Sequence, residues 1–264
     1  MTDNTVNVEH AHGIAIISIN RPEVFNSFDM ETASAFADSI SHAAADDDVH
    51  GVVVTGKGRA FCTGADVRWI AAFDDHTGAA LRRIAGVFHQ GVIEIRRMPK
   101  PVIAAVNGAT AGGGFSLALA CDFRIIERSA VLRQAYTSNG LSIDGGGSYN
   151  LPRLVGQAKA LEILAFDRPI DSETALAWGL ASEIADDGKS VSRAIETAEK
   201  IAEGARTSFA ASKRLIALSS HSAFEEQLEV EREMLAACGE HPNGREGVAA
   251  FLEKRPARFN INDR

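Results

Sequence analysis

The sequence predicts an α/β fold whose N-terminal part alternates strands with helices and whose C-terminal part is helical. Short β-branched runs, each of the length of a buried strand, recur in the first half of the chain. The segments between them place apolar residues at helical spacing. Beyond Gly145 no further strand-like run is recognised, and helical patterns take over. Because no low-complexity linker divides the 264 residues, we expect one α/β core with a helical extension.

The core is predicted to contain four strands and three helices. Met30–Ala45 is predicted as a helix because its apolar residues share one face behind Asp29, a residue type favoured at the N-cap. A second helix over Leu81–Met98 is ended by Pro99, and a small-residue helix runs from about Gly114 to Ala120. The predicted strands are Gly13–Asn20, Gly51–Thr55, Val102–Val106 and Asp122–Ile126.

The remainder of the chain is predicted to form consecutive helices. Their apolar residues recur at helical spacing, and the segments are short enough for ordinary surface-packed helices. The predicted helices are Ala158–Ala165, Ser172–Trp178, Val191–Ala205, Ser208–Leu218, Phe224–Cys238 and Gly244–Lys254.

Charge and composition exclude several classes of protein. With 27 basic and 35 acidic side chains the formal charge is −8, which disfavours nucleic acid and anionic lipid as partners. Val102–Cys121 is uncharged and long enough to span a bilayer, but its internal glycines favour a buried strand, a turn and a helix. Three widely spaced cysteines indicate a reducing compartment, and the N-terminus resembles no export signal, so we expect a cytoplasmic protein.

Common nucleotide, hydrolase and metal motifs are missing. GVVVTGKG (Gly51–Gly58) approaches the phosphate-loop pattern, but Gly58 stands where a Ser or Thr would hold magnesium. No GxGxxG, GxSxG or HExxH pattern is present. We therefore predict no metal site and no bound nucleotide cofactor.

Two glycine-bearing turns carry the strongest functional signal. Phe61–Asp66 follows one predicted strand, Asn107–Gly114 follows another, and each leads into a helix. Amides at the start of a helix are unpaired and point towards solvent, so two such turns can together bind a developing negative oxygen. Glycine residues also allow helices to pack closely. The glycine content alone leaves both interpretations open.

These turns and several other blocks resemble the crotonase, or enoyl-CoA hydratase/isomerase, superfamily. The resemblance covers nearly the whole chain. It implies a spiral of ββα units over residues 1–200, a C-terminal helical trimerisation region over 201–264, and homotrimers or hexamers made of two trimers. It also implies acyl-CoA thioester substrates, with no cofactor beyond the coenzyme A that the substrate carries. The matching blocks are Asn20–Phe28, Ala60–Val67, Lys100–Phe123, Ile143–Gly156, Trp178–Ile184 and Arg245–Arg255.

The resemblance also assigns binding roles to individual positions. The backbone amides of Ala65 and Gly113 would form the oxyanion hole. Phe25, Ala65 and Asp66 would contact coenzyme A. Phe251 and Lys254 match residues that reach the coenzyme A of a neighbouring subunit, where Lys254 would supply positive charge for a phosphate.

The chain departs from the family pattern where hydratases carry two glutamates. Ser116 and Tyr136 occupy these positions, and neither can act as a carboxylate base. Asp144, before a run of glycines, is the remaining acid in the expected pocket. It is either the N-cap of the following helix or, as in similar isomerases, the catalytic group. His89 is a second candidate, which either borders the acyl pocket or packs within its helix.

The leading hypothesis is therefore isomerisation of an enoyl-CoA double bond, as in the isomerase-like branch of the superfamily. Two amides would stabilise the enolate, Asp144 would move the proton, and Tyr136 or His89 would shape the acyl pocket. Two alternatives stay within the enzyme class: an enoyl-CoA hydratase, or an enzyme like 4-chlorobenzoyl-CoA dehalogenase, which pairs a matching His with the aspartate. A third is a catalytically silent scaffold that binds acyl-CoA. Cys62 is expected to be a small buried side chain without a catalytic role.

Overall fold

The computed structural model describes residues 4–73 and 76–261. Within these residues the chain forms ten strands, several of them only two or three residues long. In chain order they are β1 (Val6–Ala11), β2 (Ile14–Ile19), β3 (Gly51–Gly56), β4 (Ala60–Cys62), β5 (Val102–Val106), β6 (Ala109–Ala111), β7 (Phe123–Glu127), β8 (Val131–Arg133), β9 (Ile170–Asp171) and β10 (Glu183–Ala185).

Eleven α-helices complete the described part of the chain. Asp29 caps the first of them, as predicted, because its carboxylate accepts a hydrogen bond from the Thr32 amide. In chain order they are α1 (Met30–Ala45), α2 (Val67–Ala71), α3 (Thr77–Arg97), α4 (Gly113–Ala120), α5 (Gly147–Val155), α6 (Gln157–Phe166), α7 (Ser172–Ala177), α8 (Ser190–Glu203), α9 (Arg206–Leu218), α10 (Phe224–Glu240) and α11 (Pro242–Glu253).

The strands divide between two sheets in a repeating manner. The larger sheet has the order β1-β2-β3-β5-β7-β10, and the smaller has the order β4-β6-β8-β9. Three successive strand pairs, β3 with β4, β5 with β6 and β7 with β8, place their first strand in the larger sheet and their second in the smaller. Neighbouring repeats pair in parallel. The predicted ββα spiral with a helical C-terminal region is therefore confirmed.

The core lies on both faces of the larger sheet. Every residue of β2, β3 and β5 is buried, as expected for parallel strands that are covered on both sides. Ala15 and Ile17 pack in the cluster that contains α1, whereas Ile14 and Ile16 face the cluster that contains α8. The two-residue period of a strand thus separates the layers.

The helix α8 crosses the predicted domain boundary at residue 200. Its Ala194 and Ala198 are fully buried against the larger sheet, and the helix ends at Glu203. The assignment of residues 201–264 to a separate trimerisation region stays a prediction.

The fold differs from the sequence prediction in several places. The strands β1, β4, β6 and β8 were not among the four that were predicted. The expectation that no strand follows Gly145 was wrong, because β9 and β10 lie beyond it; each is too short for a period to be recognised. The long helix α3 begins at Thr77 and not at Leu81, because its first turn (Thr77–Ala80) consists of small residues and carries no large apolar side chain to mark a helical period. The uncharged segment Val102–Cys121 forms β5, β6 and α4. Among the described residues, no helix combines the length and apolar character needed to cross a membrane.

Candidate active site

The first glycine turn holds the Ala65 amide in a fixed orientation. Phe28 donates its amide to the Gly64 carbonyl at 2.7 Å and accepts from the Asp66 amide at 2.7 Å, which forms an isolated parallel bridge with Ala65. In this pairing the N–H of Ala65 itself points away from Phe28. No acceptor for it occurs in residues 4–73 and 76–261.

The second glycine turn presents the first amide of α4. Gly112, with φ of +52°, precedes the helix in a conformation that favours glycine, and Gly113 is the first helical residue. The amide of a first helical residue has no acceptor within its own helix. In the described chain, no other group accepts from Gly113.

The two turns are in direct contact. A Cβ atom built on Gly64 would lie 2.7 Å from the Gly113 nitrogen, and Gly64 has φ of +92°. Only glycine satisfies both conditions, so the sequence brings the two backbones together where the resemblance places the oxyanion hole. The role of Ala65 and Gly113 as oxyanion donors stays a prediction.

The glycine run also serves close packing. A Cβ atom on Gly114 would lie 2.0 Å from the Cys62 carbonyl oxygen, so α4 packs directly on β4. Close packing, one of the two interpretations that the sequence left open, thus holds for Gly114, whereas the oxyanion role of its neighbour Gly113 stays a prediction. Cys62 is fully buried, as expected, and burial raises the pKa of its thiol to about 12. A thiol with this pKa is protonated at neutral pH and is not a nucleophile.

Asp144 and His89 form a hydrogen-bonded pair. His89 Nε2 lies 2.8 Å from Asp144 Oδ1, and each side chain is 42% exposed. The interpretation of Asp144 as a helix N-cap was wrong. Gly146 occupies the N-cap of α5, which has no side-chain cap. The carboxylate is therefore accessible and is held by a residue 55 positions earlier in the chain.

Ser116 and Tyr136 form a second pair, which is buried. Their hydroxyl oxygens are 3.2 Å apart, and the residues are 0% and 9% exposed. Burial raises the pKa of Tyr136; the hydrogen bond to Ser116 lowers it less, and the nearby Asp144 charge raises it further. A Cβ atom on Gly147 would lie 2.6 Å from Ser116 Oγ. The glycine run after Asp144 thus packs directly on Ser116.

The ring of Phe88 connects these parts. It lies 5.2 Å from the Phe28 ring, centroid to centroid. A Cβ atom on Gly145 would lie 2.7 Å from Phe88 Cε1, and one on Gly113 would lie 3.9 Å from the same atom. The first turn, the second turn and the Asp144 loop therefore pack around one aromatic side chain, and the next residue along α3 is His89.

Arg21 is a positioning residue that sequence reasoning missed. Its Nη2 lies 3.1 Å from Asp29 Oδ2 and 3.1 Å from Asp66 Oδ2, and its Nη1 donates to the Ser27 carbonyl at 2.7 Å. This network fixes the residues on both sides of Phe28 and the one after Ala65. The network depends on Asp66, which is 45 residues away in the chain, so the sequence around Arg21 does not reveal it.

The predicted coenzyme A contacts lie in different places. The Asp66 carboxylate is 10% exposed and is occupied by Arg21 and by the Arg68 amide at the start of α2. Phe25, beside the first turn, is 37% exposed, has φ of +54°, and lies under the Arg59 guanidinium at 4.2 Å. The Phe25 ring thus offers a surface at the first turn, whereas the Asp66 carboxylate and both Asp66 backbone groups are already hydrogen-bonded within the protein.

Phe251 and Lys254 are not brought to Asp144 within one subunit. They lie at the end of α11, whose contacts are with α10, and Phe251 is 83% exposed. The neighbouring Arg255 is paired with Glu246 and Glu253, so it adds little free positive charge. A contact between these residues and coenzyme A requires a second subunit and stays a prediction.

A cavity of about 930 Å³ opens beside the exposed pair. It lies between α3, α5 and α9, and His89 and Gly146 line its end near Asp144. Its walls include apolar residues such as Val92, Ile93 and Phe209. A cavity of this size and lining suits an organic group that is part of a ligand bound at the two glycine turns.

The comparisons with known proteins agree with one another. A family model described as enoyl-CoA hydratase/isomerase matches residues 9–262. A probable enoyl-CoA hydratase of Rhodobacter capsulatus is 36% identical over 98% of this chain and 99% of its own length. The 1,2-epoxyphenylacetyl-CoA isomerase of Escherichia coli is 33% identical over 94% and 95%. The crystal structure of an enoyl-CoA hydratase from Polaromonas sp. JS666 superposes with a TM-score of 0.91 at 34% identity, covering 97% of this chain and 99% of that one.

Proposed function

Because the chain belongs to the enoyl-CoA hydratase/isomerase family, we propose that it moves the double bond of an enoyl-CoA thioester, with Asp144 as the residue that transfers the proton. The observation that carries this proposal is the contrast between the two hydrogen-bonded pairs. The Asp144 carboxylate is accessible and bound to His89, whereas Ser116 and Tyr136 stand in place of the usual carboxylates and are buried.

The first step is removal of a proton from the α-carbon of a 3-enoyl thioester. The Asp144 carboxylate accepts this proton, and the electron pair moves towards the thioester oxygen to give a dienolate. The amides of Ala65 and Gly113 donate to that oxygen as its negative charge develops. Each such donor lowers the activation barrier by about 2.7–4 kcal/mol.

The second step returns the same proton to the γ-carbon. The carboxylic acid of Asp144 donates it, the double bond forms between the α- and β-carbons, and the carboxylate is regenerated. A single carboxylate suffices because the reaction has no net proton change. His89 keeps the carboxylate between the two carbons by donating its ring N–H, so it acts as a positioning residue.

A second candidate is favoured by the same His89–Asp144 contact. An aspartate that attacks the ring carbon of a 4-halobenzoyl thioester displaces halide and forms an aryl ester, and a histidine can activate the water that hydrolyses this ester. Water addition to a 2-enoyl thioester with Asp144 as base is a third possibility within the family. All three reactions use the same carboxylate and differ in the substrate that is turned over.

The test uses three thioesters and one substitution. We expect turnover of a 3-enoyl-CoA, little or none of 2-enoyl-CoA in water and none of 4-halobenzoyl-CoA. Asp144→Asn should lower kcat for isomerisation about 10²- to 10⁴-fold while the circular dichroism spectrum stays unchanged. Isomerisation that persists in Asp144→Asn contradicts the proposed mechanism, and halide release would favour the second candidate.

We further propose that the enzyme is a homotrimer or a pair of trimers, and that Phe251 and Lys254 complete the coenzyme A site of a neighbouring subunit. Large exposed apolar side chains on the C-terminal helices support this: Leu235, Val248, Phe251 and Leu252 are each more than 60% exposed. Light scattering with coenzyme A titration checks it, and a monomer that binds coenzyme A with full affinity would contradict it.

A further inference from the structure

The charged residues of the cavity beside His89 are unbalanced. Lys213 and Asp122 line it and neutralise one another, with Nζ 2.7 Å from Oδ2. Arg96 and Arg153 also line it, and neither has a carboxylate partner in the part of the chain that the structure describes. An excess of fixed positive charge inside a cavity is notable in a chain with a formal charge of −8.

Both unmatched guanidinium groups are held against one aromatic ring. The Arg96 Cζ lies 4.4 Å from the centroid of the Tyr149 ring, and the Arg153 Cζ lies 3.5 Å from it. Arg96 Nη2 also donates to the Tyr149 hydroxyl at 2.8 Å and to the Ala217 carbonyl at 3.0 Å. The two cations are therefore fixed close together, although like charges repel.

The ionisation of Tyr149 reports the resulting positive potential. Burial raises its pKa, but hydrogen bonds from Ser220 and Arg96 and the charges of Arg96 and Arg153 outweigh this effect. The pKa of Tyr149 therefore lies below its ordinary value. An anion placed beside the ring would be stabilised in the same way as the phenolate.

The spacing of residues along α3 sets the distance between His89 and the arginine cluster. His89 and Arg96 are both on α3, seven residues apart, which corresponds to about 10 Å along the helix axis. An extended carbon chain of ~1.5 Å bonds needs roughly eight bonds to cover this distance. Because arginine side chains on a helix lean towards its N-terminus, a slightly shorter chain also reaches.

We propose that the cavity accepts acyl groups that end in a carboxylate, which Arg96 and Arg153 bind while the thioester lies at the glycine turns. This inference rests on the proposed function, since it assumes an acyl thioester in that orientation. It assigns a substrate class: ω-carboxyacyl thioesters of medium length. Guanidinium groups bind carboxylates through paired hydrogen bonds, and the low polarity of the remaining walls strengthens the attraction.

A substitution of Arg153 tests carboxylate binding with less effect on packing than a substitution of Arg96. Arg96 ties α3 to the end of α9 through the Ala217 carbonyl, so its replacement also disturbs packing. Arg153 is exposed, and its only protein hydrogen bond in the described chain is to the Tyr149 carbonyl of its own helix, at 2.7 Å. A matched control is Arg168, which is also exposed and lies over an aromatic ring, Phe166, at 4.9 Å but does not line the cavity.

The experiment measures binding and not turnover. Isothermal titration calorimetry compares suberoyl-CoA with octanoyl-CoA, which have the same chain length and no double bond to isomerise. We expect the carboxylate to tighten Kd about tenfold or more in the unmodified protein. Arg153→Gln should reduce this preference to within about threefold, Arg153→Glu should reverse it, and Arg168→Gln should leave it unchanged.

The possible outcomes distinguish this inference from the proposed function. Equal affinity for the two thioesters, or a preference that survives Arg153→Glu, overturns the inference even when the enzyme isomerises 3-enoyl-CoA. A carboxylate preference that depends on Arg153 supports the inference even when no isomerisation is observed.

Discussion

The candidate site contains two neighbouring hydrogen-bonded pairs whose surroundings differ. Ser116 and Tyr136 are enclosed between α4 and the Gly145–Gly147 segment, whereas Asp144 and His89 are each 42% exposed. Both pairs connect distant parts of the chain. Of these four side chains only Asp144 carries a carboxylate, and it is accessible. This is why we propose Asp144, and not the buried pair, as the group that transfers the proton.

The largest effects are expected from Asp144→Asn and from a substitution that moves the two glycine turns apart. Gly64→Ala places a Cβ atom 2.7 Å from the Gly113 nitrogen at a residue with φ of +92°. The two turns must move apart, so we expect kcat to fall about 10²- to 10³-fold, as for loss of an oxyanion donor. The matched control is Gly86→Ala on α3, where nothing lies within 4 Å of the new methyl group. Equal activity of both variants would remove the glycine turns from the mechanism.

A carboxylate placed in the buried pair should destabilise the protein and not create a hydratase. Ser116→Glu puts a charged, larger side chain at a residue that is 0% exposed. Gly147 packs so closely on it that a Cβ atom on Gly147 would lie 2.6 Å from Ser116 Oγ. We expect the free energy of unfolding to fall by about 3 kcal/mol or more, measured by urea denaturation, without a gain in water addition. Hydration of 2-enoyl-CoA by a stable Ser116→Glu variant would mean that the enclosed position is still catalytically accessible.

The coupling within the exposed pair should be measurable by a double-mutant cycle. His89→Ala is expected to lower kcat about tenfold, which corresponds to roughly 1.4 kcal/mol. In the Asp144→Asn background the same change should cost less than about threefold, because His89 acts through the carboxylate. Additive losses in the two backgrounds would instead give His89 an independent role.

The smallest effect should come from the buried pair itself. Tyr136→Phe keeps the buried ring and removes the hydroxyl group bound to Ser116. We expect kcat to change by less than about threefold, and the free energy of unfolding to fall by about 1 kcal/mol because Ser116 loses its partner. A loss in kcat comparable with that of Asp144→Asn would show that the phenol takes part in the chemistry.

Local signals made much of the architecture predictable. Asp29 marks the start of α1, and the β-branched run Val102–Val106 is long enough to give a clear pattern. β9 and β10 could not be recognised because two or three residues carry no period. The start of α3 was missed because its first turn contains only small residues, which give no apolar period.

The candidate site residues could be selected from two sources, whereas contacts between distant segments could not be predicted. The glycine turns are visible as glycine runs, and the family resemblance singled out Asp144. The contact of Asp144 with His89 joins residues 55 positions apart, and the cluster of Arg96, Tyr149 and Arg153 depends on how α3 and α5 pack. Neither arrangement leaves a pattern in one sequence.

The parallel bridge of Phe28 with Ala65 has one more consequence. It immobilises the peptide units on both sides of Ala65, yet the Ala65 N–H, which belongs to the first of these units, has no acceptor within the described chain. A bound carbonyl oxygen would therefore accept a hydrogen bond from an amide whose position is already fixed. The chemical shift of the Ala65 amide proton in a nuclear magnetic resonance spectrum should thus report ligand binding, even when the ligand is not turned over.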